Sequence, residues 1–166
     1  MAAAKSIESS QTRLRANEAK WGEKLVAAGW TMIPSTILER QEALGLDPVD
    51  MNILLQLARY WWRADNPPHP AIRSIAQCIK KSVSTVQRRI KSMERKGLIQ
   101  IEHRHDPKHG GQMSSNYRFT GLIEAATQYA TEAIEEKEAN KERKSARLKR
   151  KVPLPKTNLK VVNSSE

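Results

Sequence analysis

The feature that most limits the fold is a short break between two helical patterns. Ile72, Ile75, Ala76 and Ile79 recur at helical spacing, and so do Val86, Ile90 and Met93. Between Ile79 and Val83, where the second helix can begin, lie only Lys80, Lys81 and Ser82. A turn that short makes the helices meet where they join, and Ala76, four residues before it, is small enough to let the second helix approach closely. Ser82 supplies an N-cap for a helix from Val83 to about Lys96, and Gly97 supplies its terminator.

The flanking sequence predicts what packs around this pair. Leu98–Glu102 reads as a strand, Asp106–Ser115 as a polar loop with Pro107 and Gly110-Gly111, and Asn116–Phe119 as a returning strand. Upstream, Asp47-Pro48 starts a helix with Asp as N-cap and Pro in the first helical position. Its apolar positions are Val49, Ile53, Leu54, Leu57, Tyr60 and Trp61. Ser35 is expected to cap a short helix to Ala43, with Glu39 near its first turn and Gly45 as its stop. Residues 11–28 are expected to form one helix with Leu14, Trp21, Leu25 and Ala28 on one side, ended by Gly29. The tryptophans gather ahead of residue 71, which suggests a compact N-terminal core, and Asn66–Pro70 reads as a stiff connector. Downstream, 121–150 reads as one long charged helix, in which Leu122, Ala126, Tyr129 and Ala133 keep a 4-3-4 spacing. Residues 1–10 are expected to be disordered and 151–166 to be a flexible tail. The expected class is mainly α with a small β-hairpin. A domain over 11–120 contains the two-helix unit at 72–96 and the hairpin at 98–119.

Charge points to an anionic partner. The chain carries 29 Lys and Arg against 18 Asp and Glu, a net charge of +11. The excess lies in 73–104 and 137–151. Within 73–104 the fold dictates where the cations point, and in a two-helix unit of this kind the second helix suits the major groove of double-stranded DNA. If Val86, Ile90 and Met93 face inward, steps of about 100° per residue turn Ser84, Arg88, Lys91 and Arg95 outward, with Gln87 on the flank. Arg88 suits a bidentate contact to guanine and Gln87 one to adenine. Lys80, Lys81, Ser82 and Ser84 suit phosphate oxygens beside the free amides of the helix N-terminus. Lys91 and Arg95 suit backbone phosphates, as does Arg73 on the preceding helix. Arg104, His105, Lys108 and His109 occupy the hairpin loop, which suits the DNA backbone or minor groove.

Other chemistries find little support. His103, His105 and His109 lack a second cysteine or an acidic cluster to complete a metal site. Cys78 is the single cysteine, so no internal disulfide forms; it is expected to be a partly buried residue and not a nucleophile. There is no phosphate-binding loop, no dinucleotide glycine pattern and no Ser-His-Asp arrangement, and Asp65, Glu102 and Asp106 are scattered. The sequence therefore predicts no enzyme, no cofactor and no metal. The N-terminus lacks the apolar run, roughly 7–15 residues, of a signal peptide, and no stretch approaches the ~20 apolar residues of a membrane span. A cytoplasmic, nucleoid-associated protein is expected. Trp61-Trp62 offers a stacking platform for single strands. Adjacent helical residues diverge, however, so the favoured reading puts Trp61 in the core and Trp62 over the domain edge.

Ile75-Ala76, Ser82-Val83-Ser84-Thr85-Val86-Gln87-Arg88-Arg89-Ile90-Lys91 and Lys96-Gly97-Leu98-Ile99 resemble the winged helix-turn-helix domains of bacterial and phage regulators and replication proteins. The longer span from Trp30 to Ala125 resembles small helix-turn-helix proteins of phages, plasmids and other mobile elements, and is similar to N-terminal domains of phage replication and primosomal proteins. The resemblance covers just over half of the chain. It departs from the family at Lys80, where a turn glycine is common, which costs strain if that residue is left-handed. The resemblance implies sequence-specific DNA binding, with transcriptional regulation of a mobile element as the leading role. The alternatives are an accessory factor in replication or nucleoprotein assembly that recruits a protein partner, and a winged helix that docks on a ribonucleoprotein or enzyme. A homodimer through the C-terminal helix, at Leu122, Ala126, Tyr129 and Ala133, would read an inverted repeat spaced by about one helical turn or a multiple.

Overall fold

The computed structural model describes residues 12, 14–105 and 112–149. The expectations for 1–10 and 151–166 lie outside the described residues, as do Pro107, Gly110 and Gly111. Residues 14–21 are helical. The elements that follow are α1 (Glu23–Ala27), α2 (Ser35–Glu39), α3 (Pro48–Ala58), α4 (Ile72–Cys78), α5 (Val83–Arg95), β1 (Gln100–His105), β2 (Gln112–Arg118) and α6 (Thr120–Lys149).

α3 begins as its sequence predicts. Asp47 Oδ1 accepts the amides of Val49 and Asp50, both at 2.8 Å, and Asp50 Oδ2 accepts the Asp47 amide at 3.3 Å. This reciprocal box, with Pro48 in the first turn, satisfies donors that a helix start leaves open. Met51, Ile53, Leu54 and Leu57 then enter the core, where they meet Ile75 and Ala76 of α4 and Val86, Ile90 and Met93 of α5. Val49 is half-buried, and Tyr60 is exposed because α3 ends at Ala58. Trp61 is half-buried with its ring 5.2 Å from that of Phe119.

α5 ends in a Schellman turn. The Leu98 amide bonds the Met93 carbonyl at 3.0 Å and the Gly97 amide bonds that of Glu94 at 2.8 Å, with Gly97 at φ 73°. Leu98 and Met93 are both buried, which adds the apolar contact such turns favour. The same corner receives α6, whose Leu122 amide bonds the Leu98 carbonyl at 2.8 Å.

Four local expectations are corrected. The helix expected over 11–28 breaks at Gly22, whose φ of 88° turns the chain out of the helix. Its proposed core side chains, Leu14, Trp21 and Leu25, are exposed and Val26 is the buried residue of α1, so the tryptophans do not build an N-terminal core. Ser35 is the first residue of α2 and not its cap; the extended Pro34 occupies the cap position and no side chain caps the helix. α2 closes at Glu39, and turns carry the chain on to Gly45, which has φ 65°.

The hairpin is longer than expected, with strands reaching His105 and starting again at Gln112. The antiparallel register pairs Gln100 with Arg118, Ile101 with Tyr117 and Glu102 with Asn116. It then shifts, pairing Arg104 with Met113. Ser114 and Ser115 thus oppose His103 alone, a bulge that lets polar residues continue the ladder without apolar alternation. Arg118 and Asn116 both hydrogen-bond the Glu102 carboxylate across the strands, holding it below the usual carboxylate range. The Tyr117 amide bonds the Pro68 carbonyl at 2.9 Å, so the connector flanks β2.

The chain divides into two units between Tyr129 and Ala130. Gly121 is where packing leaves least room. A Cβ there would overlap the Gly97 carbonyl oxygen and lie 2.9 Å from its carbon, both backbone atoms. Gly121→Ala is expected to lower stability by roughly 3 kcal/mol, at the upper end of overpacking costs, as measured by urea unfolding. An unchanged midpoint would contradict this packing.

Candidate nucleic-acid interface

The turn between α4 and α5 closes with the Lys81 amide on the Ala76 carbonyl at 3.0 Å and the Lys80 amide on that of Gln77 at 3.4 Å. Lys80 sits at φ 51°, the left-handed position that glycine favours, and is the positive-φ non-glycine residue of the described chain. Lys80 and Lys81, both exposed, thereby immediately precede the cap of α5. Ser82 accepts the Thr85 amide at 3.1 Å, and its hydroxyl lies 3.0 Å from that of Ser84 and 2.8 Å from that of Thr85. It caps α5 as predicted, and this network also engages Ser84.

Two faces of α5 do different work. Val86, Ile90 and Met93 are buried, whereas Ser84, Gln87, Arg88, Lys91 and Arg95 are exposed. Gln87, Arg88, Lys91, Glu94 and Arg95 border one shallow hollow along the outer face. Arg73 is exposed on α4, Arg104 is half-buried on β1, and His105 is exposed at the end of that strand. Lys108 and His109 lie outside the described residues. The structure thus brings Gln87, Arg88, Lys91 and Arg95 together.

Arg89, which the sequence reading left without a role, turns the other way. Its side chain is 26% exposed and ion-pairs with Asp47 Oδ2 and with Asp50 Oδ1, the latter at 2.9 Å from Nε. Nε–H is not aimed well enough at Oδ1 to count as a hydrogen bond, so that contact is Coulombic. Asp50 is 1% exposed. Burial pushes its carboxyl above the usual range, while the Lys96 charge pulls the other way. Lys96 also donates to the Gly45 carbonyl. At about 100° per residue Arg89 and Lys96 share one flank of α5, and both hold the segment that starts α3. The Asp47-Pro48 start was legible as a cap; the reciprocal bond from Asp50, and that the spare oxygens of both acids meet α5, were not. Val83 was also missed: it is 38% exposed in the first turn of α5, an apolar group on an otherwise polar edge.

Other predicted residues take different places. Leu122, at 4% exposure, and Ala126 are buried in the domain's own core. This corrects their assignment to a partner seam, because α6 begins by covering the α5–β1 corner. Tyr129 is half-buried with the Arg40 guanidinium 5.9 Å from its ring centre, and Ala133 is partly covered. Cys78 is exposed, not partly buried; two residues beyond Ala76 it falls on the opposite side of α4. His103 Nδ1 lies 3.2 Å from the Ser115 hydroxyl. Among the described residues no three His, Cys, Asp or Glu side chains gather closely enough to hold a metal, and no helix is long and apolar enough to cross a membrane.

A two-helix unit joined by a tight turn, its second helix running into a β-hairpin, defines a winged helix-turn-helix protein with a long C-terminal helix. The chain belongs to the DnaD N-terminal domain family, whose model matches residues 33–138. It is similar in fold to the N-terminal domain of DnaD protein from Geobacillus kaustophilus HTA426. The TM-score is 0.50 at 18% identity, covering 69% of this chain and 93% of that one. Weaker likenesses, both with TM-score 0.40, are to a possible transcriptional regulator from Methanosarcina mazei Go1 and to MepR of S. aureus in its DNA complex. The first is 20% identical and covers 63% of this chain and 82% of that one; the second is 17% identical and covers 84% and 96%. Comparison with curated protein sequences finds no match.

Lys80 carries a cost that glycine would avoid. Lys80→Gly is expected to raise stability by about 0.5–1 kcal/mol, the left-handed strain relieved less the entropy glycine adds to the unfolded chain. The same change should weaken duplex binding by removing a cation beside α5. Thermal unfolding and a duplex titration check the pair; a fall in stability would contradict the left-handed turn.

Proposed function

We propose that this chain binds double-stranded DNA in a sequence-specific way, with α5 in the major groove and the β1–β2 wing along the backbone or minor groove. The observation that carries the reading is the division of α5: its apolar stripe and Arg89 are committed to the core, while Gln87, Arg88, Lys91 and Arg95 are exposed together on the outer face. Arg88 and Gln87 reach base edges in guanine and adenine contacts, each such pair discriminating by about 1–3 kcal/mol. Lys80, Lys81, Ser84, Lys91 and Arg95 meet phosphates, Ser82 serves mainly as the cap, and Arg73, Arg104 and His105 extend the basic surface, to which the sequence adds Lys108 and His109. Val83 is suited to a thymine methyl. The reading involves no catalysis and no cofactor.

Between the two biological roles, membership of the DnaD N-terminal domain family and the resemblance to phage replication and primosomal proteins favour an accessory factor in replication or nucleoprotein assembly over a promoter-bound regulator. The charged stretch of α6 from Ala130 to Lys149, which has no buried residue, is suited to a protein partner or a second copy. Self-association belongs to this proposal through residues from Ala133 onward, where Ile134 is exposed, and not through Leu122 and Ala126.

Selection from a random duplex pool at two salt concentrations tests the reading. The expected result is an enriched motif whose adenine preference relaxes in Gln87→Ala. Binding without enrichment, set only by salt through counterion release, would contradict sequence-specific reading.

A further inference from the structure

A second surface lies on the N-terminal segment and the end of α3, and shares no residue with the set assigned to the duplex. Three indoles are open to solvent there: Trp21 at 63%, Trp30 at 44% and Trp62 at 71%. Trp62 does not cover the domain edge, as the sequence suggested it would. One hollow runs from Trp21 to Trp30 and a second from Trp30 to Trp62; both are bordered by Trp30, Thr31 and Met32, so the two adjoin along that segment as one groove. Its cations are Lys20, Arg59 and Arg63. The Lys20 ammonium lies 5.7 Å from the Trp21 ring centre. Asp65 holds the Arg63 guanidinium through two hydrogen bonds of 3.0 and 2.9 Å, which fixes that cation in place at some cost in charge. The Arg59 guanidinium lies 5.2 Å from the Tyr60 ring centre. Among the described residues no carboxylate lines either hollow.

We propose that this groove binds single-stranded nucleic acid, with bases stacked on Trp21, Trp30 and Trp62 and the backbone phosphates met by Lys20, Arg59 and Arg63. Exposed apolar surface of this kind needs a partner. Flat aromatic faces interleaved with cations and free of lining acids match a ligand that is both aromatic and anionic, as a single strand is along its whole length. A duplex hides its base faces and cannot use the indoles. The chain would then hold duplex on α5 and an unpaired strand on a separate surface.

The tryptophans make the test direct. All four, at 21, 30, 61 and 62, line the two hollows and none is on α5, and the three exposed ones are open to quenching by a bound strand. The full chain is titrated with a deoxythymidine oligomer of about 16 nucleotides, a length within the usual single-strand site range. The expected result is saturable quenching. The Trp30→Ala/Trp62→Ala variant, made at two exposed positions, should lose about tenfold or more in oligomer affinity, as removal of stacking partners predicts. Its affinity for duplex should be unchanged, which shows that it folds. Absence of quenching, or equal oligomer affinity in the variant, would overturn the proposal. So would displacement of the oligomer by an equimolar duplex, which would mean a single shared site. Emission that changes with protein concentration but not with oligomer would instead make the groove a contact between copies of this chain, and would also overturn it.

Discussion

Asp47 and Asp50 each turn one oxygen toward the first turn of α3 and the other toward Arg89 of α5. The same two carboxylates cap one helix and anchor the next but one, so the position of α5 is tied to where α3 begins. Lys96 adds a second tie seven residues along the same flank, to the Gly45 carbonyl just ahead of that cap. Apolar packing of Val86, Ile90 and Met93 presses α5 onto the core but is non-directional. The ionic contacts lie along one flank of the helix and hold it in the rotation that the buried stripe already favours. That rotation decides which residues face outward. An ion pair with one buried partner is weak as a source of net stability, because desolvation offsets much of its attraction, yet removing Arg89 leaves the buried Asp50 carboxylate with the Lys96 charge alone to offset its burial.

Much of the fold was legible in the sequence because its signals are local. The Asp-Pro start of α3, the Ser82 cap, the Gly97 terminator and the helical spacing on α4 and α5 each depend on a few adjacent residues, and each element formed where its signals lie. The errors fall where local pattern met a competing backbone feature or an unknown neighbour. Gly22 breaks a helix whose apolar spacing ran straight through it. Leu122 and Ala126 carry a heptad-like spacing suited equally to a partner helix and to the domain's own core, and spacing cannot distinguish the two. The wing strands lack strict alternation, since a two-stranded hairpin with one solvated face and a bulge tolerates polar residues on either side of the ladder.

The outward face of α5 was legible for a geometric reason: once the buried stripe is known, the helix period fixes the opposite side. Arg89 was not. Arg88 and Arg89 are identical in type and adjacent, and their separation into surface and interior depends on two acids about forty residues earlier. Lys80 is a second place where local structure and surface charge diverge. Its backbone conformation suits glycine, and the chain keeps a cation there, next to the N-terminus of α5. Such a local cost on an otherwise consistent scaffold is characteristic of functional positions.

The division of labour between Arg88 and Arg89 is the central claim, and one paired measurement tests it. Arg88→Ala and Arg89→Ala are compared for unfolding free energy and for affinity to a selected duplex. Arg89→Ala should lose about 3 kcal/mol of stability or more, the usual cost of removing one partner of a buried ion pair. Arg88→Ala should unfold within about 0.5 kcal/mol of the parent, as exposed substitutions do, and lose about fivefold or more in duplex affinity, the low end of a lost bidentate base contact. Loss of stability in Arg88→Ala with Arg89→Ala unaffected would contradict the orientation of α5 on which the whole account is built.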